Sequence, residues 1–278
     1  MDEITLGISP CPNDTFIFFH ILNKKRLPFK IRPVIADVEK LNELVLKEAL
    51  DISKVSFALA GRVLHNYIIL DSGAALGRGC GPILLTKEPV KNIEELADKK
   101  IGIPGKYTTA TLLLQMCLSK AKNLKEIIFN EIPFSILRGE VFAGCCIHET
   151  RFTYQNLGLN MALDLGKWWE EKTGMPIPLG GIVAKKDLPG DMLFLIQSAI
   201  KESIEYAENN QDEAFTFIKR YAQEMDPLVL KKHIDLYVNN FSKSLGEEGQ
   251  TAIKKLFKIA QEKNLLPKIS LDKIFLHP

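Results

Sequence analysis

Apolar and polar positions along the chain keep changing period, and the changes alternate. The run Ile4-Thr5-Leu6-Gly7-Ile8 has the length of a buried strand, and the segment after it carries its apolar residues at helical spacing, which predicts a helix near 13–25. A strand over 31–35, a helix near 37–49 and a strand near 52–57 continue the series. Further strands are predicted at 67–70, 82–86, 100–103, 126–129 and 143–147, with helices near 92–97, 108–121 and 132–139. Strand and helix in alternation mark an α/β fold, in which helices cover the faces of a largely parallel sheet. After residue 188 the strands stop. Ile196, Ile200 and Ile204 recur at i, i+4, i+8, and Phe215, Ile218 and Tyr221 form a similar stripe, so 189–265 reads as successive amphipathic helices that must cover something apolar.

The stretches 82–87 and 181–186 are each entered through Gly or Pro and left through Lys, and they bracket the middle α/β block. This pattern predicts a double crossover between two lobes: a discontinuous first lobe, 1–85 with 186–278, and an inserted second lobe, 86–185. A cleft closed by such a hinge suits a small ligand.

Composition narrows the partner. The 278 residues are 46% hydrophobic and 25% charged, enough to build a core and unlike a disordered chain. The net charge of +2, from 36 basic and 34 acidic side chains, supplies no field for nucleic acid or an anionic membrane, so a small-molecule partner is expected. No run approaches the roughly 18 apolar residues of a membrane span. Met1-Asp2-Glu3 leads directly into a strand without the basic and apolar regions of an export signal, so a cytoplasmic protein is expected. Cysteines at 11, 80, 117, 145 and 146 are odd in number and lack CxxC spacing, which favours reduced thiols.

The strongest candidate for chemistry is His148, where the apolar run Ala143–Ile147 gives way to His148-Glu149-Thr150-Arg151. Ligands of open α/β folds sit beyond the carboxyl ends of strands, and histidine exchanges protons near neutral pH. Of His20, His65, His148, His233 and His277, only His148 ends a strand beside an acid and an arginine; His20, His65 and His233 fall in helical stretches and His277 is terminal. Glu149 is expected either to orient the His148 ring or to pair with Arg151. Period-two geometry puts Cys146 on the same strand face as His148, but no further ligand pair accompanies them to complete a metal site.

Four other segments carry polar groups in suggestive places. In Ser9-Pro10-Cys11-Pro12-Asn13-Asp14-Thr15 two prolines stiffen a turn, Asn13 or Asp14 is placed to cap the first helix, and Cys11 reads as a buried thiol with no base nearby in sequence. Lys54 and Ser56 flank Val55 and share a strand face. The glycine-rich stretch 73–81 matches neither a P-loop nor GxGxxG and reads as a flexible turn, from which Arg78 is a candidate for a bidentate carboxylate contact. At Pro104-Gly105-Lys106-Tyr107-Thr108-Thr109, Thr108 suits an N-cap, and the helix start leaves N–H donors for an anion.

Ser-Pro-Cys-Pro-Asn-Asp-Thr-Phe at 9–16, Lys54-x-Ser56, Ala-Leu-Gly-Arg-Gly at 75–79, Pro-Gly-Lys-Tyr-Thr-Thr at 104–109, Ile-His-Glu-x-Arg-Phe-Thr-Tyr at 147–154 and Asp164-Leu165-Gly166-x-Trp168-Trp169-Glu170, in this order, resemble the 1,4-dihydroxy-6-naphthoate synthase family over residues 4–260. The resemblance implies a two-lobed, type II periplasmic-binding-protein-like fold with a central cleft. It also implies the futalosine route of menaquinone biosynthesis, with cleavage of cyclic dehypoxanthine futalosine to 1,4-dihydroxy-6-naphthoate and a three-carbon sugar fragment without metal or organic cofactor. The family's base then maps onto His148, its substrate-contacting strand onto Lys54, Val55 and Ser56, and its paired threonines onto Thr108 and Thr109. Arg78 and Asn13 are further candidates for substrate contact. Cys145-Cys146 and Cys80 depart from the family pattern without touching a group with an implied role. Two alternatives share this fold: a non-catalytic binding protein, which would need an export signal, and the chorismate dehydratase of the same route, whose signature lacks the 9–15 turn. A regulator's effector domain is disfavoured because no helix-turn-helix precedes the lobes.

Overall fold

The computed structural model describes residues 3–222 and 226–276, and His277 lies outside them. In chain order the strands are β1 (Glu3–Ile8), β2 (Lys30–Ile35), β3 (Ile52–Ser56), β4 (Tyr67–Ile69), β5 (Ala75–Gly77), β6 (Ile83–Thr86), β7 (Ile101–Ile103), β8 (Leu124–Glu126), β9 (Ala143–Cys146), β10 (Asn160–Asp164) and β11 (Ile177–Lys185). They form two sheets. The first runs β2-β1-β3-β11-β4 with β5 also on β11, and the second runs β10-β6-β9-β7-β8. β1 pairs in parallel with β2 and β3, and β3 is buried at every position, as a strand covered on both faces must be.

The helices that position the site are α1 (Pro12–Asn23), α2 (Val38–Leu46), α3 (Phe57–Val63) and α4 (Thr109–Cys117). After them come α5 (Ile132–Leu137), α6 (Thr150–Thr153), α7 (Leu165–Thr173), α8 (Gly190–Asn209), α9 (Gln211–Ile218), α10 (Pro227–Tyr237), α11 (Asn240–Lys243) and α12 (Gly246–Glu262). The apolar stripe of α8 covers the first sheet, with Ile196, Ile200 and Ile204 packed in one cluster with Ile4, Leu6 and Ile8. α9 and α10 close over α1 through Phe217, Ile218, Leu230 and Ile234 against Phe16 and Phe19. Ile253, Leu256 and Phe257 of α12 pack with Phe57 and Leu59 of α3.

Four expectations are corrected by the sheets. The glycine-rich stretch contains β5, whose three residues pair with β11, so it is not simply a flexible turn. The strand expected at 126–129 lies earlier, as β8, and Phe129–Glu131 forms a 3-10 turn. The edge strand β10 carries no strand signal in the sequence, because its apolar run, Met161-Ala162-Leu163, is only three residues long and shows no alternation. Both lobe limits also move. The chain passes from β5 in the first sheet to β6 in the second, and from β10 in the second back to β11 in the first. Residues 83–85 therefore belong with the second sheet and 177–185 with the first. The two passages touch each other: a Cβ on Gly166 would lie 1.8 Å from the Cys80 carbonyl oxygen, so only glycine fits there.

Candidate active site

The carboxyl ends of β1, β3, β7 and β9 converge on a cavity of about 90 Å³ between the sheets. The first sheet contributes Ser9, Asn13, Asp14, Lys54, Val55 and Ser56 to its walls, and the second contributes Thr108, Thr109, Ala110, Ile147 and His148. Residues far apart in sequence meet here because parallel strands deliver their carboxyl-end loops to one edge of a sheet.

His148 leaves the strand pattern. β9 ends at Cys146, and His148 takes a left-handed backbone conformation (φ 57°), uncommon for a residue with a Cβ. Its ring therefore does not share a face with Cys146, which packs with Ile83, Leu85 and Ile136 under the second sheet. Instead Nε2 lies 3.5 Å from the Cys11 sulfur, Phe129 stands edge-on with ring centroids 4.9 Å apart, and His233 lies near-parallel at 6.1 Å. Burial pushes the imidazole down to about 4, with Lys54 acting in the same sense and Asp14 and Asp37 opposing it. His148 is thus neutral at pH 7 and keeps a lone pair for a proton. Burial, then Glu149 and Asp14, push the Cys11 thiol well up, so it stays protonated and is a poor nucleophile.

Beside this ring lies a buried ion pair. Asp14 (1% exposed) pairs with Lys54 (4% exposed), and its carboxylate also accepts from Ser9 Oγ at 2.7 Å and from Asn13 Nδ2 at 2.9 Å. The capping role expected of Asn13 or Asp14 is not the one found. Cys11 occupies the position before α1 without a side-chain capping bond, Asp14 reaches back to Ser9, and Asn13 turns to His233.

On the opposite side, Ser56 donates its N–H to Asn42 Oδ1 at 3.0 Å and accepts from Asn42 Nδ2 at 3.3 Å. Asn42 also donates to Glu39, which accepts the Tyr107 N–H at 2.8 Å and so joins the two sheets' loops. A Cβ on Gly105 would meet Glu39 at 2.4 Å, which explains glycine in that turn. Burial raises Glu39, against the bonds from Asn42 and Tyr107. Thr108 caps α4, accepting the Thr111 N–H at 3.2 Å while donating to Gly105 O at 2.8 Å. Thr109 donates to Leu179 O at 2.6 Å and accepts the Ala58 N–H at 3.1 Å, both across to the first sheet's side. With these hydroxyls committed, the first-turn N–H groups of Thr109 and Ala110 are the donors left at the start of α4.

Three sequence readings change. Arg78 is exposed and away from the cavity, donating to Gly174 O at 3.1 Å and pairing with Glu248 of α12 at 3.0 Å, so the expected substrate contact is set aside. Arg151 binds Gly81 O at 3.1 Å and Asp164 at 2.5 Å, bracing the two passages between sheets. Glu149 faces Nδ1 of His233 at 3.6 Å. His233, passed over as helical, is fully buried beside the site with Nε2 3.0 Å from Asn13 Oδ1. Its signal was a histidine on the apolar stripe Leu230, Ile234, Tyr237, since a buried polar ring must find a partner. Among the described residues no group of three or more His, Cys, Asp or Glu is arranged to hold a metal, and no helix is long and apolar enough to cross a membrane.

Residues 4–262 match a family described as menaquinone biosynthesis. The chain is 40% identical over 266 residues to a 1,4-dihydroxy-6-naphthoate synthase of Thermus thermophilus, covering 95% of this chain and 96% of that one. A crystal structure of a protein from Archaeoglobus fulgidus superposes with a TM-score of 0.90 at 32% identity, over 95% of this chain and 98% of that one. The alkanesulfonate-binding protein of Xanthomonas axonopodis pv. citri, bound to MOPS, aligns with a TM-score of 0.75 at 13% identity, over 96% and 95% of the two chains. That likeness is one of fold alone, the two-lobed architecture of periplasmic binding proteins.

Proposed function

On the premise that the chain belongs to the menaquinone-biosynthesis family, as the match over 4–262 establishes, we propose that it is a carbon–carbon lyase. It converts cyclic dehypoxanthine futalosine to 1,4-dihydroxy-6-naphthoate and dihydroxyacetone in the cytoplasm, with His148 as general base. The observation that supports this reading best is a buried, neutral imidazole facing, across one cavity, the N-terminus of α4. His148 takes a proton beside the substrate ketone, the carbon–carbon bond to the sugar-derived part breaks, and the proton returns to the expelled fragment. Aromatisation to the naphthalene diol drives the step. The substrate carboxylate rests on the Thr109 and Ala110 N–H groups, while Lys54, Val55 and Ser56 hold its other end. General-base catalysis contributes about 10²- to 10⁴-fold, and oriented donors stabilise the developing enolate.

The test is chromatographic detection of 1,4-dihydroxy-6-naphthoate after incubation of wild-type and His148→Ala protein with cyclic dehypoxanthine futalosine, with EDTA in a parallel sample. Product is expected from wild type in both samples, and a rate about 10²-fold lower or less from the variant. Binding without turnover by wild type would favour a non-catalytic binding protein, and full activity of the variant would place the base elsewhere.

A further inference from the structure

Five hydroxyl-bearing side chains line the cavity, those of Ser9, Ser56, Thr108, Thr109 and Tyr237. Three have spent their protons within the protein: Ser9 donates to Asp14 at 2.7 Å, Thr108 to Gly105 O at 2.8 Å and Thr109 to Leu179 O at 2.6 Å. Ser56 belongs to β3 of the first sheet and accepts from Asn42 at 3.3 Å. Tyr237, the last residue of α10, is 7% exposed, and among the described residues its hydroxyl proton has no acceptor. A buried donor without an acceptor is costly unless the space beside it supplies one, and here that space is the cavity.

Tyr237 stands on the side of His148, since the His233 ring neighbours both, 6.1 Å from that of His148 and 4.7 Å from that of Tyr237. Its backbone is pinned. Ser242 Oγ donates to Tyr237 O at 3.2 Å and to Ala74 O at 2.7 Å, and Asn239 Nδ2 donates to Leu76 O at 2.9 Å, so β5 and the residue before it hold the end of α10 against the cavity. Burial first, then Cys80 and Glu149, push the phenol well up against the opposing pull of Arg151 and the Gly81 N–H, so at pH 7 it is a donor and not a base. Resting on the reading of the chain as a lyase with His148 as base, we propose that Tyr237 is a further catalytic residue, its hydroxyl donating a hydrogen bond to the substrate ketone oxygen. As His148 takes the proton from the neighbouring carbon, the C–H electron pair becomes the carbon–carbon double bond of the enolate and the carbonyl π pair moves onto oxygen. The phenol keeps its own proton, and its bond to that oxygen strengthens as the charge grows. The gain is therefore larger in the transition state than in the bound ketone, which is what accelerates the step.

Two measurements on wild type and Tyr237→Phe, which keeps the ring against His233 and deletes only the hydroxyl, test this. In naphthoate formation kcat and kcat/KM of the variant should fall together by about 10²-fold or more, the mark of a contact made in the transition state. The second measurement needs no turnover. The ketone oxygen becomes a phenolic oxygen of the diol on aromatisation, so the same hydroxyl should donate to it in the product complex. Titrated by absorbance in the absence of oxygen, bound 1,4-dihydroxy-6-naphthoate should ionise about one pH unit lower on wild type than on Tyr237→Phe, because the donor favours the charged oxygen. An active wild type with a Tyr237→Phe variant of equal rate overturns the proposal and leaves the lyase reading standing, and equal ionisation on the two proteins overturns it as well. A wild type that shows the ionisation difference without turning over substrate defeats the lyase reading and keeps the donor, and one that neither binds the diol nor turns over defeats both.

Discussion

His148 owes its low proton affinity to desolvation of the charged form, with Lys54 acting the same way. The acid limb of kcat/KM should therefore lie near pH 4, far below the ordinary imidazole value of about 6.5. An anionic substrate opposes the desolvation, so the limb of kcat should lie higher; coincident limbs at 6.5 in a pH–rate profile would contradict this. The same shift is a stability statement. Between the folded value near 4 and the unfolded value of about 6.5, the unfolded chain binds the extra proton. This contribution is present above that window and is lost as pH falls through it. The Asp14–Lys54 pair is buried on both sides. Replacing Lys54 with Met leaves the buried carboxylate without its cation, and urea unfolding should show a loss of about 3 kcal/mol.

Most elements follow from local pattern because period and turn chemistry act over a few residues. The strands β1, β3 and β9 and the helices α2 and α4 lie close to where the hydrophobic spacing puts them. β5 and β10 escaped because their strand character comes from a partner, β11 for one and β6 for the other. Thr109 illustrates the same limit within one element. Its place at the start of α4 follows from the Thr108 cap, but its hydroxyl is spent on Leu179 and Ala58 of other elements. Thr109→Val keeps the shape and removes both bonds, leaving a buried Ala58 N–H without its acceptor. Denaturant unfolding should show a loss of about 1–3 kcal/mol, and no change would mean those bonds add nothing.

A cavity of about 90 Å³ is small for a multi-ring substrate, since ligand pockets commonly enclose about 300 Å³ or more. We expect the two sheets to separate about the passages at 78–82 and 165–176, where the chain crosses between them, to admit a ligand of that size. The Thr109–Leu179, Thr109–Ala58 and Tyr107–Glu39 bonds join the two sides and would resist such a separation. In small-angle scattering the radius of gyration should shrink when substrate or product is added, and Thr109→Val should start from a larger value. An unchanged radius in both proteins would argue against hinge motion.

The amino-acid sequence by itself determined the α/β alternation, the existence of two crossings, the covering helices after residue 188 and the place of His148 just beyond a strand end, each through patterns spanning one turn or one strand. It also placed Lys54, Ser56 and Thr108 at strand or helix ends, where open α/β folds keep their ligands. Only the tertiary structure decided what those groups face. Cys11 meets His148 across 137 positions and Asn13 meets His233 across 220, and Arg78 is carried outward to Glu248. Proton affinities belong to this second category as well, because burial and charge neighbours are properties of the packed chain, and no local spacing encodes them.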